Sequence, residues 1–247
     1  RKYRPMTWGS VVGQEALTTT LRNAITSGRS AHAYLFCGPP GGGKTTCARI
    51  FARSINCLAP TAEGDACGVC ESCKAFDEGR SMNIHELDAA SNNSVDDVRM
   101  LRDEVMYSPV QCKYKVYIID EVHMLSTGAF NALLKTLEEP LAGTVFLLLS
   151  ESPELLLPTI VSRCRALKLH PWPDEVVLSA LADHDVSGDM AKKALAASGG
   201  SIGRAISIAA NEAYWQRRRD VMQDFFGISA RVDVLKVSTA WKERKDE

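Results

Sequence analysis

The chain lacks any apolar stretch near the roughly 18 residues that a membrane-crossing helix needs; its longest apolar run lies near Val145–Leu149. No membrane span is expected. It also lacks net charge, since 29 basic and 30 acidic residues leave −1. Nothing therefore draws the whole molecule toward nucleic acid or a membrane, and any contact with DNA must come from a local basic surface. The basic start, Arg1-Lys2-Tyr3-Arg4-Pro5, is without the apolar core of a signal peptide, and no Met precedes it, which reads as a trimmed or processed start. Internal repeats and low-complexity tracts are missing too. What is there is a 45% hydrophobic chain of 247 residues, the composition of a globular protein large enough for one large domain and a smaller one. Eight cysteines without a signal segment read as thiols or metal ligands of a reducing cytoplasm rather than as disulfides.

The most informative stretch is Gly38-Pro39-Pro40-Gly41-Gly42-Gly43-Lys44-Thr45. It fits the phosphate-loop pattern G-x-x-x-x-G-K-[ST]. The apolar run Ala33–Cys37 precedes it as a strand would, and a helical pattern with Ala48, Ile50, Phe51 and Ile55 follows. Glycines at this place let backbone N–H groups curl around the β- and γ-phosphates, and the helix N-terminus adds partial positive charge. Lys44 would neutralise the phosphates and the Thr45 hydroxyl would ligate Mg²⁺, with Thr46 next in line. The alternative is an ordinary Gly/Pro turn, but strand, loop, Lys-Thr and helix stand in the order a nucleoside triphosphate site requires. An acidic strand end completes such a site. Lys115–Ile119 is a β-branched and aromatic run closing in Asp120 and Glu121, about 75 residues after the loop. Asp120 would hold Mg²⁺ through water and Glu121 would polarise the attacking water.

Phe130, Leu133, Leu134 and Leu137 recur at helical spacing and predict a helix ending at Glu138-Glu139-Pro140, its apolar stripe packed on a sheet. Thr144–Leu149 is apolar throughout, as a strand buried on both faces would be. Alternating strands and helices predict an α/β fold with a parallel sheet and the nucleotide at the carboxyl ends of its strands. Cys57, Cys67, Cys70 and Cys73 lie in a Pro/Gly-containing insertion after the loop helix, with spacing C-x9-C-x2-C-x2-C. Four thiolates so spaced suit tetrahedral Zn²⁺ in a closed structural site, which would staple a loop too small to own a core. An iron–sulfur cluster also takes four cysteines, without redox support elsewhere in the chain, and unliganded thiols are the remaining alternative. Cys37, Cys47, Cys112 and Cys164 read as packing residues.

Together with Lys2-Tyr3-Arg4-Pro5, Val12-Gly13-Gln14, Leu87–Asn92, Ile119–Leu125 and Phe130–Pro140, these motifs make the chain resemble the gamma/tau subunit of the bacterial DNA polymerase III clamp loader, an AAA+ P-loop ATPase. The resemblance covers about residues 1–170, and the four-cysteine insertion with the Asp-Glu-Val-His box is its most specific part. It implies an AAA+ nucleotide-binding domain over 1–170 with a zinc-binding insertion at 57–73. It further implies a hinge at Pro171-Trp172-Pro173, a helical lid over 171–211, and the start of a helical collar, cut short, over 212–247. It implies ATP, Mg²⁺ and Zn²⁺ as cofactors. The implied partners are other clamp-loader subunits in a hetero-oligomeric ring, the sliding clamp and primed DNA, all in the cytoplasm. By position, Tyr3, Arg4, Val11 and Val12 match residues that grip the adenine and sugar. Arg163, in Ser162-Arg163-Cys164, matches an arginine finger reaching a neighbouring subunit's ATP. Arg204, in Gly203-Arg204, matches the sensor-2 arginine of the lid.

Two departures qualify the resemblance. The sensor-1 position, usually Thr or Asn, reads Ser150-Glu151-Ser152; a Glu beside a γ-phosphate would repel it unless paired or turned away, so that sensing falls to Ser150 or fails. From Val145 onward the sequence is nearer to the delta-prime subunit of the same machine, largely a stator. Two functions are thus expected as alternatives: an ATP-hydrolysing loader subunit, or a non-catalytic assembly subunit. A branch-migration helicase is a third AAA+ possibility, opposed by the cysteine insertion. Arg99, on a segment that faces DNA in clamp loaders, would meet a phosphate, with Ser94 assisting, or else belongs to a solvated charged face. His123 is expected to pack in the loop after the acidic pair rather than bind metal, and Arg217-Arg218-Arg219 to lie on a helix surface.

Overall fold

A computed structural model of the chain describes residues 6–11, 13–96, 98, 109 and 112–226. Its chain divides into two compact units, with the boundary between Pro173 and Asp174. The first is built on one five-stranded sheet. Its strands are β1 (Ala33–Cys37), β2 (Ile84–Asp88), β3 (Lys115–Asp120), β4 (Thr144–Ser150) and β5 (Arg165–Lys168). They lie in the order β2-β3-β4-β1-β5, every pair parallel.

Every residue of β1 and β4 is buried, which is why both read as unbroken apolar runs: helices cover both faces of a parallel sheet. The two-residue period of a strand then sorts side chains between two cores. Tyr34, Phe36, Val116, Ile118, Leu147 and Leu149 pack with helices α1 (Glu15–Thr26) and α2 (Lys44–Ile55). Ala33, Leu35, Tyr117, Ile119, Phe146 and Leu148 face α4 (Thr127–Glu138) through Phe130, Leu133 and Leu137. Each fully buried Leu, Ile or Phe here stabilises the sheet by about 1.5–3 kcal/mol. The short helix α3 (Glu71–Asp77) belongs to the cysteine insertion, and α5 (Pro158–Val161) leads into β5. Ser126 caps α4, its side chain accepting from Ala129 N.

The second unit is helical: α6 (Asp174–Ala182), α7 (Gly188–Ser198), α8 (Ile202–Ala209) and α9 (Glu212–Phe226). Val177, Leu181, Ala191, Ala194, Ala205, Ile208 and Trp215 are its buried apolar residues. Ser201 Oγ accepts from Arg204 N at 3.2 Å and starts α8, while Trp215 Nε1 donates to Ile208 O at 2.9 Å. Arg217, Arg218 and Arg219 are exposed on α9. Among the described residues no helix is long and apolar enough to cross a membrane.

Candidate functional site

Because β4 lies between β1 and β3, the carboxyl ends of these three strands deliver the Gly38 loop, Ser150 and Asp120 side by side. Gly38 N donates to Ser150 O at 3.2 Å, and Leu169 N to Cys37 O at 2.7 Å. A side chain at position 38 has no room, since a Cβ there would stand 2.9 Å from both the Cβ and the carbonyl oxygen of Leu169. Gly41 and Gly43 have φ of +73° and +94°, conformations glycine takes without steric cost. They turn the loop so that α2 starts at Lys44 with no side chain capping its N-terminus, leaving first-turn amides for an anion.

The Lys44 side chain is buried and folds back over the loop, its Nζ donating to Gly38 O at 2.7 Å and Pro39 O at 3.3 Å. Thr45 Oγ1 donates to Asp120 Oδ2 at 2.8 Å, across 75 residues of sequence. Asp120 Oδ1 in turn accepts from Glu121 N at 2.9 Å. Glu121 holds φ +48°, an unusual conformation for a residue with a side chain. Burial pushes its carboxyl above the ordinary glutamate range; nearby Asp120 and Glu151 add to that, while Lys44 and His123 oppose it. His123 Nδ1 lies 3.4 Å from Glu121 Oε2 and 3.5 Å from Ser150 Oγ. Ser150 is the last residue of β4, fully buried, and its hydroxyl donates to Ser152 O at 2.9 Å. Glu151, the residue that would repel a γ-phosphate, has an exposed side chain.

The structure therefore brings together Gly38, Gly41, Gly42, Gly43, Lys44, Thr45, Thr46, Asp120, Glu121 and Ser150. Val11 is buried in the core beside α1. Tyr3, Arg4 and Val12 lie outside the described residues, as does Arg99. Arg163 sits apart, just before β5. Register pairs Tyr34 with Arg165, two residues after Arg163, and Tyr34 lies four residues of β1, about 13 Å, before Gly38, so Arg163 is at the amino end of the sheet. Its guanidinium is held by Thr159 O at 2.8 Å and Glu138 Oε1 at 2.7 Å. Arg204 is exposed in the first turn of α8, in the second unit.

Sequence reasoning missed two residues that shape the loop's surroundings. Gln14, 3% exposed, exchanges two hydrogen bonds with the backbone of His170, its Nε2 donating at 2.7 Å and its Oε1 accepting at 3.2 Å. Trp172 Nε1 donates to Gly41 O at 3.4 Å. Neither partner is near in sequence, so no local pattern announces them. His123 is half-buried in the loop after the acidic pair, and its closeness to Glu121 was not visible in the sequence.

The Sγ atoms of Cys57, Cys67, Cys70 and Cys73 all lie within 4.8 Å of one another, with Cys57 and Cys70 at 4.0 Å. A tetrahedral Zn²⁺ with bonds of about 2.3 Å sets its sulfurs about 3.8 Å apart, so the four-thiol set fits zinc. Backbone N–H groups already serve these sulfurs, Cys67 N donating to Cys57 Sγ at 3.2 Å and Cys70 N to Cys67 Sγ at 3.4 Å. N–H groups of Val69 and Cys70 pull the Cys67 thiol down to about 6, whereas burial pushes Cys57 and Cys73 up. Burial also pushes Cys47 and Cys164 up to about 12, the condition of packing thiols.

Comparison with known proteins places these features in a family. A family model described as "DNA polymerase III, delta subunit" matches residues 13–173. The DNA polymerase III subunit tau of Bacillus subtilis is 52% identical over 166 residues, 67% of this chain and 29% of that protein. The subunit gamma/tau of Mycobacterium bovis is 49% identical over 74% of this chain and 32% of its own length. The chain thus spans about a third of the length of these curated relatives. Among solved structures, the Thermotoga maritima RuvB Holliday junction branch migration motor superposes with a TM-score of 0.57 at 22% identity, over 96% of this chain and 72% of that one. A DNA polymerase III gamma subunit-related protein from Thermotoga maritima gives 0.55 at 22% identity, over 86% and 63%. At that identity the two structures show a shared fold, the AAA+ one expected from the motifs. With gamma/tau relatives at about half identity and well over half of its length matched, the chain belongs to the DNA polymerase III, delta subunit family.

Proposed function

We propose that the chain is the ATP-binding and ATP-hydrolysing part of a cytoplasmic DNA polymerase III clamp-loader subunit. The observation that carries this reading is the Thr45 to Asp120 hydrogen bond at 2.8 Å beside the Lys44 loop. It sets a hydroxyl and a carboxylate where one Mg²⁺ could be held by both. Such an ion, when bound, neutralises charge on the β- and γ-phosphates. Lys44 would exchange its two loop carbonyls for phosphate oxygens, and the amides of Gly41–Thr46 would cradle the same group. Glu121 is the candidate base for the attacking water: its carboxyl is raised by burial, and its backbone is fixed by the bond to Asp120. Tyr3, Arg4, Val11 and Val12 are proposed for the base and sugar, Ser150 for the γ-phosphate, and Arg204 for the same phosphate from the lid.

Arg163 stands at the amino end of the sheet, away from its own loop. We assign it to the ATP of a neighbouring subunit, so turnover would need a ring of partners. Loading of a sliding clamp on primed DNA would be the work coupled to that turnover. Zn²⁺ at the four cysteines would be structural. The second reading, a non-catalytic assembly subunit, is favoured by the delta-subunit match over 13–173 and by Glu151 at the sensor-1 position. ATP turnover measured in the complex with clamp, primed DNA and partner subunits separates the two. Loss of turnover in Glu121→Gln supports hydrolysis at this site, and turnover unchanged by Glu121→Gln and Lys44→Met assigns the chain to assembly alone.

A further inference from the structure

The loop between Cys57 and Cys67 does more than connect ligands. Residues 58–63 are exposed and contribute nothing to either core, so the loop's shape depends on how its ends are held. Within it Thr61 N donates to Asp65 O at 2.9 Å, Gly64 N to Thr61 O at 2.9 Å, and Asp65 N to Thr61 Oγ1 at 3.1 Å. This closed turn grips Trp8, more than 50 residues upstream. Trp8 N donates to Asp65 Oδ1 at 2.6 Å, and its indole Nε1 donates to Gly64 O at 3.2 Å. Arg22 of α1 stands 3.7 Å from Asp65 Oδ2, and Trp8 is 2% exposed.

Trp8 begins a strap that ends at Gln14, itself pinned to His170. Between those anchors Gly13 adjoins Trp172, and Trp172 reaches the phosphate loop. A Cβ on Gly13 would lie 3.1 Å from Pro173 and 3.9 Å from Trp172, and the Trp172 indole donates to Gly41 O. Gly13 and Trp172 therefore border the phosphate loop, and the nucleoside of a loop-bound triphosphate would extend on their side.

We propose that the four-cysteine insertion sets how tightly and how selectively the nucleoside is held, by fixing Trp8 through Asp65 and Gly64. This rests on the nucleotide-binding reading above. Metal at Cys57 and Cys67 closes both ends of the loop that holds Trp8. Opening those ends frees Asp65 and Gly64, and the strap loses one of its two anchors while the phosphate loop keeps its own bonds.

The test is equilibrium binding of ATP, GTP and inorganic tripolyphosphate to wild-type protein, to Asp65→Ala, and to wild type stripped of zinc by a chelator. Asp65→Ala is expected to retain one zinc per chain, bind ATP about tenfold more weakly, and lose its preference for ATP over GTP by a similar factor. Its affinity for tripolyphosphate should stay within about twofold of wild type. Wild type stripped of zinc should show the same changes in ATP, GTP and tripolyphosphate binding. Unchanged ATP affinity in both, or equal weakening of ATP and tripolyphosphate, overturns the proposal. Hydrogen exchange on wild type with and without zinc covers the case in which Asp65→Ala does not fold. Faster exchange at the Trp8–Val11 amides with β1 unchanged supports the tether, and unchanged exchange there refutes it. Wild type that binds neither ATP nor tripolyphosphate would instead sink the nucleotide reading, and the exchange result would still decide whether the tether exists.

Discussion

Lys44→Met separates the cost of a residue to folding from its value to binding. The Lys44 ammonium donates two hydrogen bonds, to Gly38 O and Pro39 O, from a site 5% exposed. Losing two bonds from a charged donor costs about 1.5–3 kcal/mol each. Against this, the substitution relieves a buried ammonium whose desolvation costs several kcal/mol. Both carbonyls lose Lys44, but Pro39 O keeps its bond from Gly42 N, and carbonyls tolerate a lost partner better than amides. The opposing contributions are of similar size, and methionine fills most of the volume. Unfolding free energy in urea should therefore change by no more than about 1–2 kcal/mol. Binding shifts the balance, because Lys44 exchanges two neutral carbonyls for charged phosphate oxygens, which bind an ammonium more strongly. Two charge-assisted bonds to phosphate are worth about 3–6 kcal/mol, which is roughly a hundredfold to ten-thousandfold in Kd. Titration with a fluorescent ATP analogue, alongside urea unfolding, measures both quantities on one preparation. A Kd within threefold of wild type would refute the assignment of this loop. A loss of more than about 3 kcal/mol in stability would show that the lysine is there for the fold.

Four further substitutions test other parts of the chain. Burial holds the Glu121 carboxyl above its ordinary value, so the folded chain binds that proton more tightly than the unfolded one; the stability it contributes is full below the ordinary glutamate range and is lost as pH rises through the raised value. Glu121→Gln should accordingly melt higher than wild type above that window and lose the advantage in acid, with turnover down about 10²–10⁴-fold; a melting difference independent of pH would contradict this. Arg163→Ala should leave ATP affinity of the isolated chain unchanged, because the side chain is engaged with Glu138 and Thr159, yet reduce turnover of the assembled complex by about 10³–10⁵-fold; equal turnover in the complex removes it from the reaction. Gly38→Ala should destabilise by about 1–3 kcal/mol through its 2.9 Å clash with Leu169, whereas Gly203→Ala in α8, with nothing within 4 Å, should gain about 0.5–1 kcal/mol; similar denaturation midpoints for the two would refute the steric argument.

What the sequence disclosed depended on how locally each feature is encoded. The strands β1, β3 and β4 were legible because they sit in the interior of the sheet, where burial on both faces demands unbroken apolar runs. The edge strands β2 and β5 were not, since Ile84–Asp88 and Arg165–Lys168 bury only some of their residues and carry His85, Glu86, Arg165 and Lys168. The Gly38–Thr45 loop and the four cysteines were legible because such patterns are written in residue type and spacing along a short stretch of chain. The bonds of Gln14, Trp8 and Trp172 join positions 156, 57 and 131 residues from their partners, and no periodicity encodes such a contact.

Arg163 shows the same limit from the opposite side. It precedes β5, which pairs with the strand that leads into the phosphate loop. In space, parallel pairing puts the start of β5 level with the start of β1, and the loop leaves from the other end. An arginine that precedes a parallel strand cannot serve a site that follows its neighbour, unless that site belongs to another copy of the fold. The direction of one strand thus makes a residue that its own chain holds through Glu138 and Thr159 a candidate contribution to the next. That geometry makes an assay of the assembled complex, rather than of the isolated chain, the measurement that decides whether Arg163 takes part in the reaction.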